Sequence, residues 1–352
     1  MWHWSYIFLR KTIILSLFSL LLLRREFFKL IYMSIEVWYE CFLNSLSDKF
    51  PKRSQLAEAL MNLLCLEREA VYRRLRKDVA FHVYEVAKIA SEWSISLDEL
   101  INFSSEKIYF QIQLVDYLEP SDQDVSLLQT FIQGIHSSKN FPESEFMEIC
   151  NKLPRPLLAD YNYLNQFYLF KWVYQYGNKA ETVPFSQIAI SEKKRQLTAA
   201  YNKSIKQAPN TSFILDCKLF ENLVNDIQYF NSIRLITDEE KEFIKKDLLT
   251  LLKYLLEVAN KGFYPETKNK VNLYISQLSI DTNYSYISLG KVNICLVHAF
   301  DKYEVYTNNS KMTANFKEWM KLKKRTSAQI SEVDEKNRID YFMKQRQIVE
   351  SL

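Results

Sequence analysis

Residues 54–101, SQLAEALMNLLCLEREAVYRRLRKDVAFHVYEVAKIASEWSISLDELI, constrain this chain more than any other stretch. Their apolar residues recur with helical period in three short runs, after an earlier amphipathic run beginning MSIEVWYECFLNSL at Met33. The second run, 67–76, has two unlike faces. Leu66, Val71 and Leu75 form an apolar stripe, while Arg68, Tyr72, Arg73, Arg74, Arg76 and Lys77 crowd the rest with basic and aromatic groups. Such a chain must bury one side of a short helix and present the other.

Glycine is scarce, with only 4 residues, and 48% of the chain is apolar, so loop-rich and all-β folds are disfavoured and a well-buried, mainly α (α+β) protein is expected. The formal charge of +4 is not by itself a nucleic-acid signature. Of 46 Lys/Arg and 42 Asp/Glu, five bases and one acid fall within residues 1–32, which leaves 33–352 neutral. Residues 33–105 alone carry nine Lys/Arg against eleven Asp/Glu. Any attraction for an anion must therefore come from local placement.

The five cysteines (41, 65, 150, 217, 295) show no paired spacing and read as buried thiols in a reducing cytoplasm. The four histidines form no ligand cluster with them, and His82 and His298, among apolar neighbours, read as packed histidines. No metal or cofactor is expected. Four scattered glycines exclude GxGxxG and GxxxxGK[ST] phosphate loops, and neither GxSxG nor HExxH occurs, so no enzymatic motif is visible.

Residues 12–23, TIILSLFSLLLL, are strongly apolar and flanked by Arg10-Lys11 and Arg24-Arg25. The run is shorter than the roughly 20 residues a spanning helix needs, and no small-residue cleavage site follows it. Met33 is the expected functional start, with 1–32 as upstream sequence. The alternative is a membrane anchor and a tethered protein.

Beyond Phe103 the pattern changes. Ile108, Phe110, Ile112 and Leu114 alternate with polar residues, as in a strand. Helices are predicted at 122–137, 191–206, 218–231, 313–324 and 334–350, with strands at 144–150 and 211–216. A further helix, capped by Asp160, is predicted to run to Tyr176 and stop at Gly177. Its many aromatics read as core. Thr237 with Glu240 announces the longest helix through a capping box, and Ser96 with Glu99 marks another. Residues 270–307 hold the β-rich part, read as a small antiparallel sheet. The expected organisation is a leader at 1–32, a four- to five-helix domain at 33–105 and a helix-rich α+β region at 106–352.

From Leu56 onward the N-terminal domain resembles the Cro/lambda-repressor type of helix-turn-helix domain. The resemblance rests on Leu56-Ala57-Glu58-Ala59-Leu60, a turn at Cys65-Leu66, a recognition helix from Glu67 to about Arg76, and a supporting helix with Val83, Val86, Ile89 and Ala90. It closes on Ile95-Ser96-Leu97-Asp98-Glu99-Leu100 and covers about 70 residues. Met61-Asn62-Leu63-Leu64 add one helical turn, and Lys77 stands where the family commonly has glycine.

The resemblance implies a bacterial, cytoplasmic transcription regulator that binds double-stranded DNA as a homodimer. Residues 106–352 would serve dimerisation or the sensing of a small-molecule or protein effector. Arg68, Glu69, Tyr72 and Arg73 would reach base edges, while Arg53, Arg76 and Lys77 would meet phosphates. Arg74 is ambiguous. The alternative is an interaction or scaffold protein whose bundle is a docking module.

Overall fold

The computed structural model describes residues 37–352 except 51, 94, 98–99, 101–107, 113–121, 159, 178–182, 291 and 300–302. The apolar run 12–23 and the Ser96/Glu99 capping box, through Glu99, lie outside the described residues. The chain divides into two compact units, Met1–Tyr109 and Phe110–Leu352.

In the first unit α1 covers 37–48, followed by α2 (Arg53–Leu64), α3 (Arg68–Leu75) and α4 (Val83–Glu92). Helical spacing brings Phe42 and Leu46 of α1, Leu56 and Leu60 of α2, Val71 of α3 and Val86 and Ile89 of α4 into one core. Leu66 and Leu75 pack against its margin. Helix α2 ends because Cys65 takes a left-handed conformation (φ 55°), its N–H bonding back to the Met61 carbonyl. Leu66 and Glu67 then complete a three-residue link to α3.

Two expectations fail here. Val83, matched with Val86, Ile89 and Ala90 to the family's supporting helix, does not share their burial: it is 87% exposed, and the neighbouring Tyr84 is 76% exposed. His82 is exposed as the N-cap of α4 rather than packed. Both lie where the chain enters the helix, one turn ahead of the buried Val86 stripe.

The second unit is mixed α+β. Its elements run β1 (Gln111–Ile112), α5 (Asp122–Ser138), β2 (Glu145–Cys150), α6 (Arg155–Leu158), α7 (Asn162–Tyr176), a 3-10 turn (Phe185–Gln187), α8 (Glu192–Ile205), β3 (Asn210–Asp216), α9 (Leu219–Ser232) and α10 (Asp238–Lys261). They continue with β4 (Lys270–Ser276), β5 (Tyr284–Leu289), β6 (Val292–Ala299), β7 (Tyr303–Thr307), α11 (Ser310–Arg325), β8 (Ala328–Gln329) and α12 (Glu335–Glu350).

The sheet is not small and antiparallel. Eight strands lie in the order β1-β7-β6-β5-β2-β3-β4-β8. Strands β2, β3 and β4 are parallel neighbours, β5–β6–β7 form an antiparallel meander on the far side of β2, and β8 closes antiparallel on β4. Parallel neighbours need crossovers, and the helices between β2 and β3 and between β3 and β4 supply them.

Strand alternation divides the interior in two. Phe146, Phe213, Leu215, Val271 and Leu273 join the large cluster formed with α7, α9, α10 and α12. Met147, Ile149, Ile214, Tyr286 and Cys295 face Phe316 and Met320 of α11.

The Thr237 capping box forms as expected: Glu240 N–H donates to Thr237 Oγ1 (3.2 Å) and Thr237 N–H to Glu240 Oε2 (2.8 Å). Gly262 ends that helix at φ 69°. Asp160, in contrast, does not cap α7. Asp247 of α10, which packs on α7, accepts from the N–H groups of Tyr163 (2.8 Å) and Leu164 (3.1 Å). Asp160 accepts instead from Asn202 (3.1 Å) and Lys206 (3.2 Å). Among the described residues no helix is long and apolar enough to cross a membrane.

Candidate nucleic-acid interface

Helix α3 is set by its buried side. Val71 is fully buried, and at 3.6 residues per turn Arg68, Glu69, Tyr72 and Arg73 share one arc of about 140°. The arc starts beside the buried stripe at Arg68 and ends farthest from Val71 at Arg73, with Arg76 as the C-cap. Their availability differs. Arg73 is exposed and makes no ion pair among the described residues. The Arg68 guanidinium lies over the half-buried Tyr72 ring, 5.7 Å from its centroid.

Arg76 is held by two carboxylates, Glu69 at 2.8 Å and Asp78 at 3.0 Å. Glu69 chiefly, then Asp78, raises its pKa. Lys77 pairs with Glu40 of α1. Arg53, the first residue of α2, donates from Nη2 to the Leu75 carbonyl at the end of α3 (3.3 Å). The three residues read as phosphate contacts thus each have a partner inside the unit, two of them anionic.

Arg74 is no longer ambiguous. Its guanidinium forks onto Glu85 of α4 at 2.9 and 2.8 Å, with only 11% and 12% of the two side chains exposed. Glu85 also accepts the His82 N–H at 2.9 Å, so one carboxylate caps α4 and fastens α3 to it. Burial pushes the Glu85 carboxyl up, but Arg74 and the His82 N–H outweigh it and hold it below the usual carboxylate range.

Lys77 adopts φ 68°, a left-handed conformation that favours glycine, at the position where the family commonly has one.

Sequence alone reads Glu67, Glu69 and Asp78 as acids that dilute the basic helix, but it missed two that engage this surface, Glu40 and Glu85. Glu69–Arg76 and Asp78–Arg76 are close in sequence and could have been paired by spacing. Glu40–Lys77 spans 37 residues and had no local signal.

It also missed Glu148 on β2, buried in the second unit. The Glu148 carboxyl accepts from Asn283 Nδ2 (3.2 Å). Burial, with the nearby Glu304 adding to it, pushes it up to about 8, against the weaker opposing pull of Asn283, Arg155 and Cys150. Among the described residues no group of His, Cys, Asp or Glu is arranged to hold a metal ion. Comparison with protein-family models, with curated proteins and with solved structures finds no match to this chain.

Proposed function

We propose that the first unit is a helix-turn-helix domain of the Cro/lambda-repressor type and that the protein is a sequence-specific DNA-binding transcriptional regulator acting in the cytoplasm. Helix α2 would cross the backbone and α3 would enter the major groove, with the second unit serving dimerisation or effector sensing. The observation that carries this reading is the pairing of α2 and α3 through a three-residue link, with Val71 in the core, Tyr72 half-buried at its margin and Arg68 and Arg73 exposed. Arg73 is the strongest base-reading candidate because no carboxylate among the described residues competes for it. A good bidentate contact from arginine to guanine is worth roughly 1–3 kcal/mol of discrimination.

The test is selection of the full chain on random DNA duplexes at two salt concentrations, beside Arg73→Ala. Enrichment of a palindrome with half-sites ~34 Å apart, weakened by salt and lost in the variant, is the expected result. Undiminished operator affinity in Arg73→Ala would remove the role assigned to α3.

A docking bundle is the second reading. It is favoured by the carboxylates that engage Arg74, Arg76 and Lys77 and by the exposed Val83 and Tyr84. Absence of any enriched sequence with wild-type protein would select it.

A further inference from the structure

The α11 side of the sheet carries polar chemistry that the DNA reading does not use. Helix α11 is the segment whose Phe316 and Met320 pack on this face. Past the Met147, Ile149 and Ile214 cluster the face turns polar. Ser212 of β3 lies beside Asn272 of β4 in register, and alternation puts Lys270 and Tyr274 on the same side of β4.

Two lysines of α11 reach this patch. Lys317 pairs with Glu145 of β2 and lies over the Tyr286 ring, 5.3 Å from its centroid. Lys324 lies over the Tyr274 ring at 5.2 Å and donates to Ser212 Oγ at 3.2 Å.

Lys324 differs from three other lysines that packing encloses. Lys206 is paired with Glu266 (2.9 Å) and Asp160 (3.2 Å), Lys171 with Asp226, and Lys317 with Glu145. Lys324 is half-buried yet makes no ion pair among the described residues. Burial pushes its ammonium below the usual lysine value; Glu145 opposes this and Lys270 reinforces it. The buried Ser212 hydroxyl accepts from Lys324 and has no acceptor for its own proton among the described residues. Lys270, Lys317 and Lys324 against Glu145 leave two positive charges uncompensated.

We propose that Lys324 and Ser212, with the exposed Lys270 near them, form an anion-binding site on the α11 face of the sheet that takes a phosphoryl group. An oxyanion there would take an N–H from Lys324 and the free O–H of Ser212, two donors converging from different elements, with Lys270 supplying long-range charge. Lys317, already held by Glu145, frames the site rather than binding. The source is either inorganic phosphate or a small phosphate monoester.

Calorimetric titration of the full chain with inorganic phosphate and with glycerol 3-phosphate, at constant ionic strength, tests this. At least one is expected to bind saturably. Lys324→Gln and Ser212→Ala should each weaken it at least tenfold, while Lys321→Gln, on the exposed side and paired with Glu318, should leave it unchanged. Equal binding of both probes assigns free phosphate, and preference for the monoester assigns the esterified group. Should Lys324→Gln not fold, acylation of wild-type lysines followed by mass spectrometry replaces it, with Lys324 protected by the bound probe and Lys321 not. Failure of both probes to bind, binding that survives Lys324→Gln, or unaltered Lys324 acylation at saturating probe would overturn the assignment.

Discussion

Each unit of this protein takes a glutamate out of water, and the two carboxyls move in opposite directions. In the first unit Glu85 meets the forked guanidinium of Arg74 and a backbone N–H, which together overcome the effect of burial and keep it ionised. In the second, Glu148 is buried with hydrogen bonds from Asn283 and Cys150 and a like charge, Glu304, nearby, and burial dominates. Arg155 pairs with Glu304 at 3.1 Å, and its pull on Glu148 is weaker than the effect of burial. Burial alone therefore says nothing about charge; the partner within reach decides it.

The largest effect that would break this contrast is at Glu148. A carboxyl raised to about 8 keeps its proton in the folded state after the unfolded chain has lost it. Stability must then fall as pH rises from the ordinary carboxylate range to about 8. Glu148→Gln removes the penalty and should raise stability at pH 8.5 by on the order of 4 kcal/mol relative to wild type, with little difference at pH 4.5. Urea unfolding of both proteins across that range measures it; parallel pH profiles would show that Glu148 is ionised when folded.

Next comes Arg74→Ala. It leaves Glu85 enclosed without its cation and should destabilise the first unit by ~2–3 kcal/mol at neutral pH. The wild-type pair contributes above the ordinary carboxylate range, and its contribution is lost as pH falls through the lowered value of Glu85. The gap between wild type and variant should therefore close in acid. A gap that persists there would assign the cost to packing rather than charge.

The smallest effect sharpens the backbone side of the comparison. Cys65→Gly relieves a left-handed residue at the end of α2 and should stabilise the first unit by about 0.5–1 kcal/mol. No gain in melting temperature would mean that the link between α2 and α3 carries little strain.

Much of the framework was legible along the chain. Leu56, Ala57 and Leu60 at helical spacing, and the Thr237/Glu240 box, act within one or two turns, so their signal is local. The capping of α7 was not, because its N-terminal N–H groups are served by Asp247, more than 80 residues away. The sheet was misjudged for the same reason. The segments 144–150 and 211–216 read as strands, but nothing near them announces that they run parallel and adjacent.

The candidate interface divides in the same way. Spacing placed Arg68, Glu69, Tyr72 and Arg73 on one side of α3 and Arg76 and Lys77 at its end. It could not show that Arg76 and Lys77 are engaged by carboxylates while Arg73 meets none among the described residues.

The sequence by itself determined the helical stripes, the strand alternation and the count of charges, because each follows from composition and from neighbours a few residues apart. Which charges survive, which carboxyl keeps its proton and whether an enclosed lysine such as Lys324 meets a carboxylate were decided only by the tertiary structure. Electrostatic energies depend on distance and on the water removed between groups, and both are set when remote segments pack together.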